Sequence, residues 1–226
     1  MEPSARQTSA AELLADTRSR LADVEQTIRS HRFLEALAQR RLPEEHLRAL
    51  ASEQWTIIAS DRRAFAMLAS RFASHLAGDF FLSMAQGEGQ ALSLLRAYAT
   101  WVGLDEGALD AYEPRAGCQA YTAYVSWLGL NGSRAEVALA FGANLTAWGD
   151  NCGRVAEALR QRYGAPEEAV AFFDFFATPP EGFETRIVAV VDEGFAAGES
   201  PERARRAARL LQAYELMFWD TLAAEL

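Results

Sequence analysis

The sequence has few of the residues that build disulfide frameworks and metal centres. Its 226 residues include two cysteines, Cys118 and Cys152, which do not form a CxxC pair, and three histidines. Disulfide scaffolds and cysteine zinc sites need more cysteines at closer spacing, so neither is predicted. We interpret both cysteines as reduced and buried.

Long apolar runs and basic clusters are lacking as well. There is no stretch of about 18 apolar residues, and the first residues do not resemble a signal peptide. The formal net charge is -9, and the 22 basic residues, all of them Arg, are spread along the chain. We therefore expect a cytoplasmic protein that binds neither membranes nor nucleic acid.

The sequence does contain helical periodicity. Apolar residues recur at three- and four-residue spacing almost throughout, without the alternation that is typical of strands. The predicted fold class is all-α, with seven or eight helices in a single bundle and the last helix running from Pro201 to about Glu225. We expect one domain over residues 1–226, in which residues 1–8 form a flexible N-terminus.

Two glycines interrupt one predicted helix, in the sequence Gln86-Gly87-Glu88-Gly89-Gln90. Each glycine costs on the order of 1 kcal/mol relative to alanine inside a helix. The favoured interpretation is a kink or a break between two helices. The alternative is a close approach of the backbone to a ligand or helix, with Glu88 pointing inward.

Three groups of residues resemble those of a known family. They are His31-x-Phe33 with Leu42-Pro43, then Tyr121-Thr122 ahead of Gly132-x-x-Ala135-Glu136, and finally Tyr214-Glu215-x-x-Phe218-Trp219. Their order and spacing resemble the TenA/thiaminase II family, which has the haem-oxygenase-like helical fold. In that family a buried Cys attacks a pyrimidine ring, a Glu acts as acid and base, an Asp holds the ring, and tyrosines pack around it.

The resemblance assigns two catalytic residues and replaces two others. Glu215 falls on the family Glu and Tyr121 on a pocket Tyr. The position of the nucleophilic Cys is Asn144, or Ala143 if the register shifts by one, and the position of the Asp is Gln54. An amide cannot form the covalent adduct of a thiolate, so standard thiaminase II activity is not expected.

Other residues complete the candidate pocket. Gln54 and Asn144 would be polar anchors, Trp148 and Phe175 or Phe176 would be walls, and Glu88 is a further ligand-binding candidate. Because Gln54 carries no charge, the resemblance implies a different or neutral ligand. Residue spacing alone leaves open whether Glu215 faces this pocket or solvent.

Some proteins with this fold are dimetal oxidases, which need several inward histidines. Glu88 lies where such an oxidase could carry its first ligand. However, His31, His46 and His75 all lie in the first third of the chain, and Leu95 occupies the next ligand position. We therefore expect no bound metal and no cofactor.

The resulting hypothesis is a TenA-like, cofactorless enzyme. It would act on a flat nitrogen heterocycle by hydrolysis or elimination, with Glu215 as acid and base. One alternative is a non-catalytic ligand-binding or regulatory protein, and a second is an oxidase of the same fold. Relatives with this fold commonly form oligomers, which implies a homodimer or homotetramer.

Overall fold

A computed structural model describes residues 9–224 and 226, which form ten α-helices and contain no strand. The helices are α1 (Ala10–Arg29), α2 (Arg32–Ala38), α3 (Glu44–Arg71), α4 (Leu76–Trp101), α5 (Glu106–Asp110), α6 (Ala116–Asn131), α7 (Arg134–Ala158), α8 (Glu167–Ala177), α9 (Phe183–Ala196) and α10 (Pro201–Leu222). A π-helical turn, Leu159–Tyr163, extends α7. The all-α prediction is confirmed.

Local capping fixes where the long helices begin. At the start of α7, the Ser133 hydroxyl accepts from the backbone N–H of Glu136, whose carboxylate accepts from the N–H of Ser133. This capping box satisfies two N–H groups that would otherwise lack partners. The helix α10 begins in a similar way at Ser200, which accepts from the N–H of Arg203, with Pro201 in the first turn.

The helix count exceeds the predicted seven or eight. One addition is α5, a five-residue helix that is capped by Asp105, whose side chain accepts from the N–H of Ala108. The last helix ends at Leu222, short of the predicted end, because Ala223 and Ala224 form a turn. Glu225 lies outside the described residues, as does the expectation for residues 1–8. No helix in the described part of the chain is long and apolar enough to cross a membrane.

The break favoured at Gly87 and Gly89 is not found, because α4 runs through both residues without interruption. Packing against neighbouring helices compensates for their low helix propensity. A Cβ at Gly89 would lie 3.1 Å from Cζ of Arg62, so the glycine makes room for an arginine of α3. The alternative interpretation, a close approach between helices, describes Gly89 better.

The buried apolar side chains form two clusters. One includes Phe33, Phe172 and Trp219, and the other includes Phe65 and Phe141. The helices α3, α6, α7 and α10 contribute residues to both clusters. Among them, α3 packs on α6, and α10 packs on both α6 and α7. Tyr121 of α6 packs against both clusters, and the candidate site lies at this junction.

Candidate functional site

A cavity lies where the two clusters meet. Its polar lining residues are Gln54 and Asp61 of α3, Glu88 of α4, Tyr121 of α6 and Glu215 of α10. Its apolar lining residues are Ile57, Ile58, Phe141, Leu145, Trp148, Phe176 and Phe218. The cavity volume is about 40 Å³, enough for a few water molecules. Small-molecule sites commonly measure about 300–1,000 Å³, so a ring would enter only if lining side chains move aside.

A chain of hydrogen bonds joins three of the predicted site residues. The Tyr121 hydroxyl donates to Asn144 Oδ1 at 3.1 Å, and Asn144 Nδ2 donates to Glu215 Oε2. Trp219 Nε1 donates to Glu215 Oε1 at 3.2 Å. Because Tyr121 occupies the oxygen of the Asn144 amide, the NH₂ group is directed at the carboxylate. Each oxygen of Glu215 therefore accepts one hydrogen bond and keeps further acceptor capacity.

Burial controls the protonation of Glu215. Only 2% of this residue is exposed, and loss of solvent raises the pKa of its carboxyl to about 7. The hydrogen bonds from Trp219 and Asn144 favour the ionised form and oppose this rise. Both protonation states are therefore populated near neutral pH, which suits a group that accepts and returns a proton.

The same surroundings keep Tyr121 protonated. Burial raises the pKa of its hydroxyl well above the ordinary value, and the charges of Asp61, Glu215 and Glu88 raise it further. The phenol therefore remains a hydrogen-bond donor to Asn144 near neutral pH. Its position among three carboxyls places it centrally in the polar part of the cavity.

Asp61 was not predicted as a site residue. It lies seven residues after Gln54 in α3, nearly two full helical turns, so the two side chains share one face. This seven-residue spacing is the feature of the sequence that could have identified Asp61 as a site residue. Burial raises the pKa of Asp61 to about 7, although the Thr122 hydroxyl, which donates to Asp61 Oδ1, opposes the rise.

Glu88 points inward and lines the cavity together with Asp61. Burial raises the pKa of its carboxyl, and the nearby charge of Asp61 raises it further. Its Oε2 atom is buried and has no hydrogen-bond partner in the described part of the chain. Whether Glu88 binds a ligand stays a prediction.

The aromatic candidates divide between two spaces. Trp148 and Phe176 line the cavity with their rings in a T-shaped arrangement, 5.8 Å between centroids. Phe175 instead lines an outer vestibule, formed with Met84 and Phe183 among others, that adjoins the cavity. Phe176 therefore lines both spaces and Phe175 only the vestibule, and which of them contacts a ligand stays a prediction.

Gly149 positions this part of α8. A Cβ at Gly149 would lie 2.9 Å from the carbonyl oxygen of Phe176, closer than such contacts normally come. The glycine therefore allows α8 to approach α7 and brings the Phe176 ring to the cavity.

Two predicted anchors differ in position. Gln54 is 3% exposed and lines the cavity, whereas Asn144 is 1% exposed and lies behind the residues that line it. Asn144 Nδ2 also donates to Gln212 Oε1 at 3.1 Å. Gln212 was missed in the sequence, although it precedes Glu215 by three residues and so lies on the same side of α10.

The cysteines and histidines lie outside the cavity lining. Cys118 and Cys152 are free and buried, as predicted. Burial raises the pKa of the Cys152 thiol, and the Glu215 charge raises it further, so it remains protonated. His31 instead caps α2 and approaches Asp220 at 3.1 Å.

Within the described residues, no group of three His, Cys, Asp or Glu side chains is placed to hold a metal ion. The expectation of no metal and no cofactor stays a prediction.

Replacing Asn144 by leucine should raise the pKa of Glu215 by roughly one to two units, because a hydrogen bond to a charged group contributes about 1.5–3 kcal/mol. The pKa can be measured by NMR titration of ¹³C-labelled glutamate. Asn151→Ala is a matched control, since this buried asparagine of α7 donates to the carbonyl of Ile28 instead. An unchanged Glu215 pKa in Asn144→Leu would show that the hydrogen bond from Asn144 does not lower this pKa.

The fold and cavity define an all-helical protein with a buried site of carboxyl and aromatic side chains. The model of the TENA/THI-4/PQQC family matches residues 18–224, and the chain belongs to this family. No curated protein sequence matches the chain.

Solved structures share the fold at low sequence identity. A TenA homologue from P. horikoshii has a TM-score of 0.75 at 16% identity, covering 93% of this chain and 97% of its own. A TenA homologue from Pseudomonas syringae has a TM-score of 0.78 at 11% identity, covering 98% of both chains. A Shewanella denitrificans domain of unknown function with a haem-oxygenase-like fold has a TM-score of 0.71 at 11% identity, covering 92% of this chain and 91% of its own. These similarities extend over nearly the whole chain and support the haem-oxygenase-like fold.

Proposed function

We propose that the chain is a cofactorless TenA-like enzyme that acts on a small, flat, nitrogen-containing heterocycle. The reaction would be hydrolysis or elimination at a carbon–nitrogen or exocyclic carbon bond. The observation that carries this proposal is the buried carboxyl of Glu215, which lies in the cavity wall with a pKa of about 7. Burying a carboxyl is costly, and such groups are often catalytic.

The neighbours of Glu215 support an acid and base role. The ionised carboxylate would take a proton from a water molecule as the water oxygen bonds to the ring-attached carbon. The carboxylic acid would then give that proton to the departing nitrogen, which restores the carboxylate. Tyr121 acts by holding the amide of Asn144, while Trp148 and Phe176 are placed to contact a planar ring.

Substitution Glu215→Gln should lower turnover by about 10²–10⁴-fold, the usual contribution of general acid–base catalysis. The assay is a panel of aminopyrimidines and related heterocycles, followed by chromatography of the products. Glu157→Gln, an exposed change on α7, is the control and should leave turnover unchanged. Turnover that survives in Glu215→Gln would overturn the assigned role.

The non-catalytic alternative has one supporting observation. At the position of the family nucleophile, both polar groups of the Asn144 amide are already hydrogen-bonded. A ligand-binding or regulatory protein would bind members of the same panel without releasing products from any of them. Saturable binding with no turnover would favour this alternative.

The remaining expectations stay proposals. We propose a cytoplasmic protein without bound metal that binds neither nucleic acid nor membranes and assembles as a homodimer or homotetramer. Exposed apolar side chains support assembly, since Trp127 is 48% exposed, Leu130 63% and Met217 43%. These side chains belong to α6 and α10, which pack against each other.

A further inference from the structure

We propose that Asp61 and Glu88 bind a positively charged amine or amidine group of the ligand, on a different side of the cavity from the Trp219-bound carboxyl of Glu215. This inference rests on the proposed function, because it names the chemistry of the molecule that occupies the same cavity. It also reverses the expectation of a neutral ligand that follows from Gln54. The carboxyl missing at position 54 has a counterpart at position 61, on the same face of α3.

The first argument concerns charge balance. Three carboxyls line the cavity, from Asp61, Glu88 and Glu215. Among the described residues, no arginine or histidine lines it. Arg62 packs against α4, and Arg186 lines the adjoining vestibule together with Glu88. No salt bridge within the described residues joins either arginine to Glu88 or Asp61. Without a partner these buried carboxyls bind protons, whereas a cation from the ligand would stabilise their ionised form.

The second argument concerns unused hydrogen-bonding groups. Gln54 is 3% exposed and lines the cavity, yet no hydrogen bond within residues 9–224 involves its side-chain amide. The Oε2 atom of Glu88 is buried without a partner among the same residues, and Thr122 donates only to Oδ1 of Asp61. Buried polar groups in native proteins are nearly always paired. An amidinium offers several N–H donors in one plane, which suits two carboxyls and an amide oxygen.

These contacts imply an orientation for the ligand in the cavity. The cationic group would face α3 and α4, while the planar part would lie near Trp148 and Phe176, with its reacting bond towards Glu215. Separate carboxyls would then bind the charge and transfer the proton. This division lets Glu215 titrate while the ligand remains held.

The test compares cationic and neutral molecules of the same shape. Binding of benzamidine and benzamide, and of 5-(aminomethyl)pyrimidine and 5-(hydroxymethyl)pyrimidine, is measured at pH 7.5 with EDTA by NMR titration. We expect the cation of each pair to bind at least about tenfold more tightly, the size of one charge-assisted hydrogen bond. Asp61→Asn and Glu88→Gln should each reduce the preference at least threefold, and the double variant should abolish it.

Two further variants make the outcomes distinct. Glu45→Gln removes an exposed charge from the same helix as Asp61 and should keep the full preference. Leu145→Trp fills the cavity and should abolish binding of all four compounds. Equal binding of cationic and neutral partners that is lost in Leu145→Trp would overturn this inference and leave the small-molecule site standing. A preference that persists in the double variant would also overturn it, and binding of none of the four would count against both proposals.

Discussion

Replacing Asp61 by asparagine should stabilise the protein at pH 8 and change its stability little at pH 4. The pKa of this carboxyl is raised from 3.8 to about 7 by burial. A tenfold change in an acid dissociation constant corresponds to about 1.4 kcal/mol, so the ionised group costs on the order of 4 kcal/mol above pH 7. Asparagine keeps an oxygen for the Thr122 hydroxyl and carries no charge.

The sign of the pH dependence follows from proton binding. Between about pH 4 and pH 7 the folded protein holds the Asp61 proton, whereas the unfolded chain has released it. Stability therefore falls as pH rises through this window, and the loss is complete above pH 7. Glu88 and Glu215, which line the same cavity, also have raised pKa values and add to the same trend. Tyr121 stays neutral throughout the window.

The measurement is urea unfolding at intervals between pH 4 and pH 8, with thermal unfolding in parallel. A stabilisation of this size should raise the melting temperature at pH 8 by on the order of 10 °C, given about 2–4 °C per kcal/mol for a chain of this length. Glu45→Gln serves as the exposed control on the same helix. Equal effects of Asp61→Asn at both pH extremes, or destabilisation at pH 8, would contradict the assigned pKa.

A variant that is more stable and binds cations less selectively would explain why a costly carboxyl is present. Active sites often contain groups that reduce stability because binding or catalysis needs them. Asp61→Asn therefore tests both properties in one protein. The expected gain in stability also means that lost selectivity could not be attributed to unfolding.

Helical periodicity was sufficient to predict the fold class but not the path of every helix. Gly87 and Gly89 have low helix propensity, which favoured a break. The structure instead places Arg62 of α3 against Gly89, so contacts between helices override the local preference. Such contacts join residues 27 positions apart and cannot be read from a local window.

The site could be predicted only where the resemblance or the periodicity pointed to it. Glu215 and Tyr121 were found through the family motifs, and Asn144 contacts both. Asp61 lies outside those motifs, although its seven-residue distance from Gln54 indicated a shared face. The choice between Phe175 and Phe176 needed the packing of α8 on α7, because adjacent residues point in different directions from a helix.

The wild-type protein should cleave thiamin at a negligible rate. The resemblance places the family nucleophile at Asn144, whose amide nitrogen has no available lone pair and is engaged with Glu215 and Gln212. Cys152 does not replace it, because its thiol is buried, remains protonated and is not in the cavity lining. Chromatography of thiamin incubations should therefore show no more pyrimidine product with the wild type than with Glu215→Gln.

Asn144→Cys provides the matched gain-of-function test. The new thiol would lie beside Glu215, which currently accepts a hydrogen bond from the amide at this position. Loss of that bond should raise the pKa of Glu215 and make it a better acceptor for the thiol proton. We expect pyrimidine release above the wild-type level in the double variant Asn144→Cys/Gln54→Asp, which restores both replaced side chains. Thiamin cleavage by the wild type that disappears in Asn144→Ala would contradict this account, since it would require catalysis by an amide that cannot form the adduct.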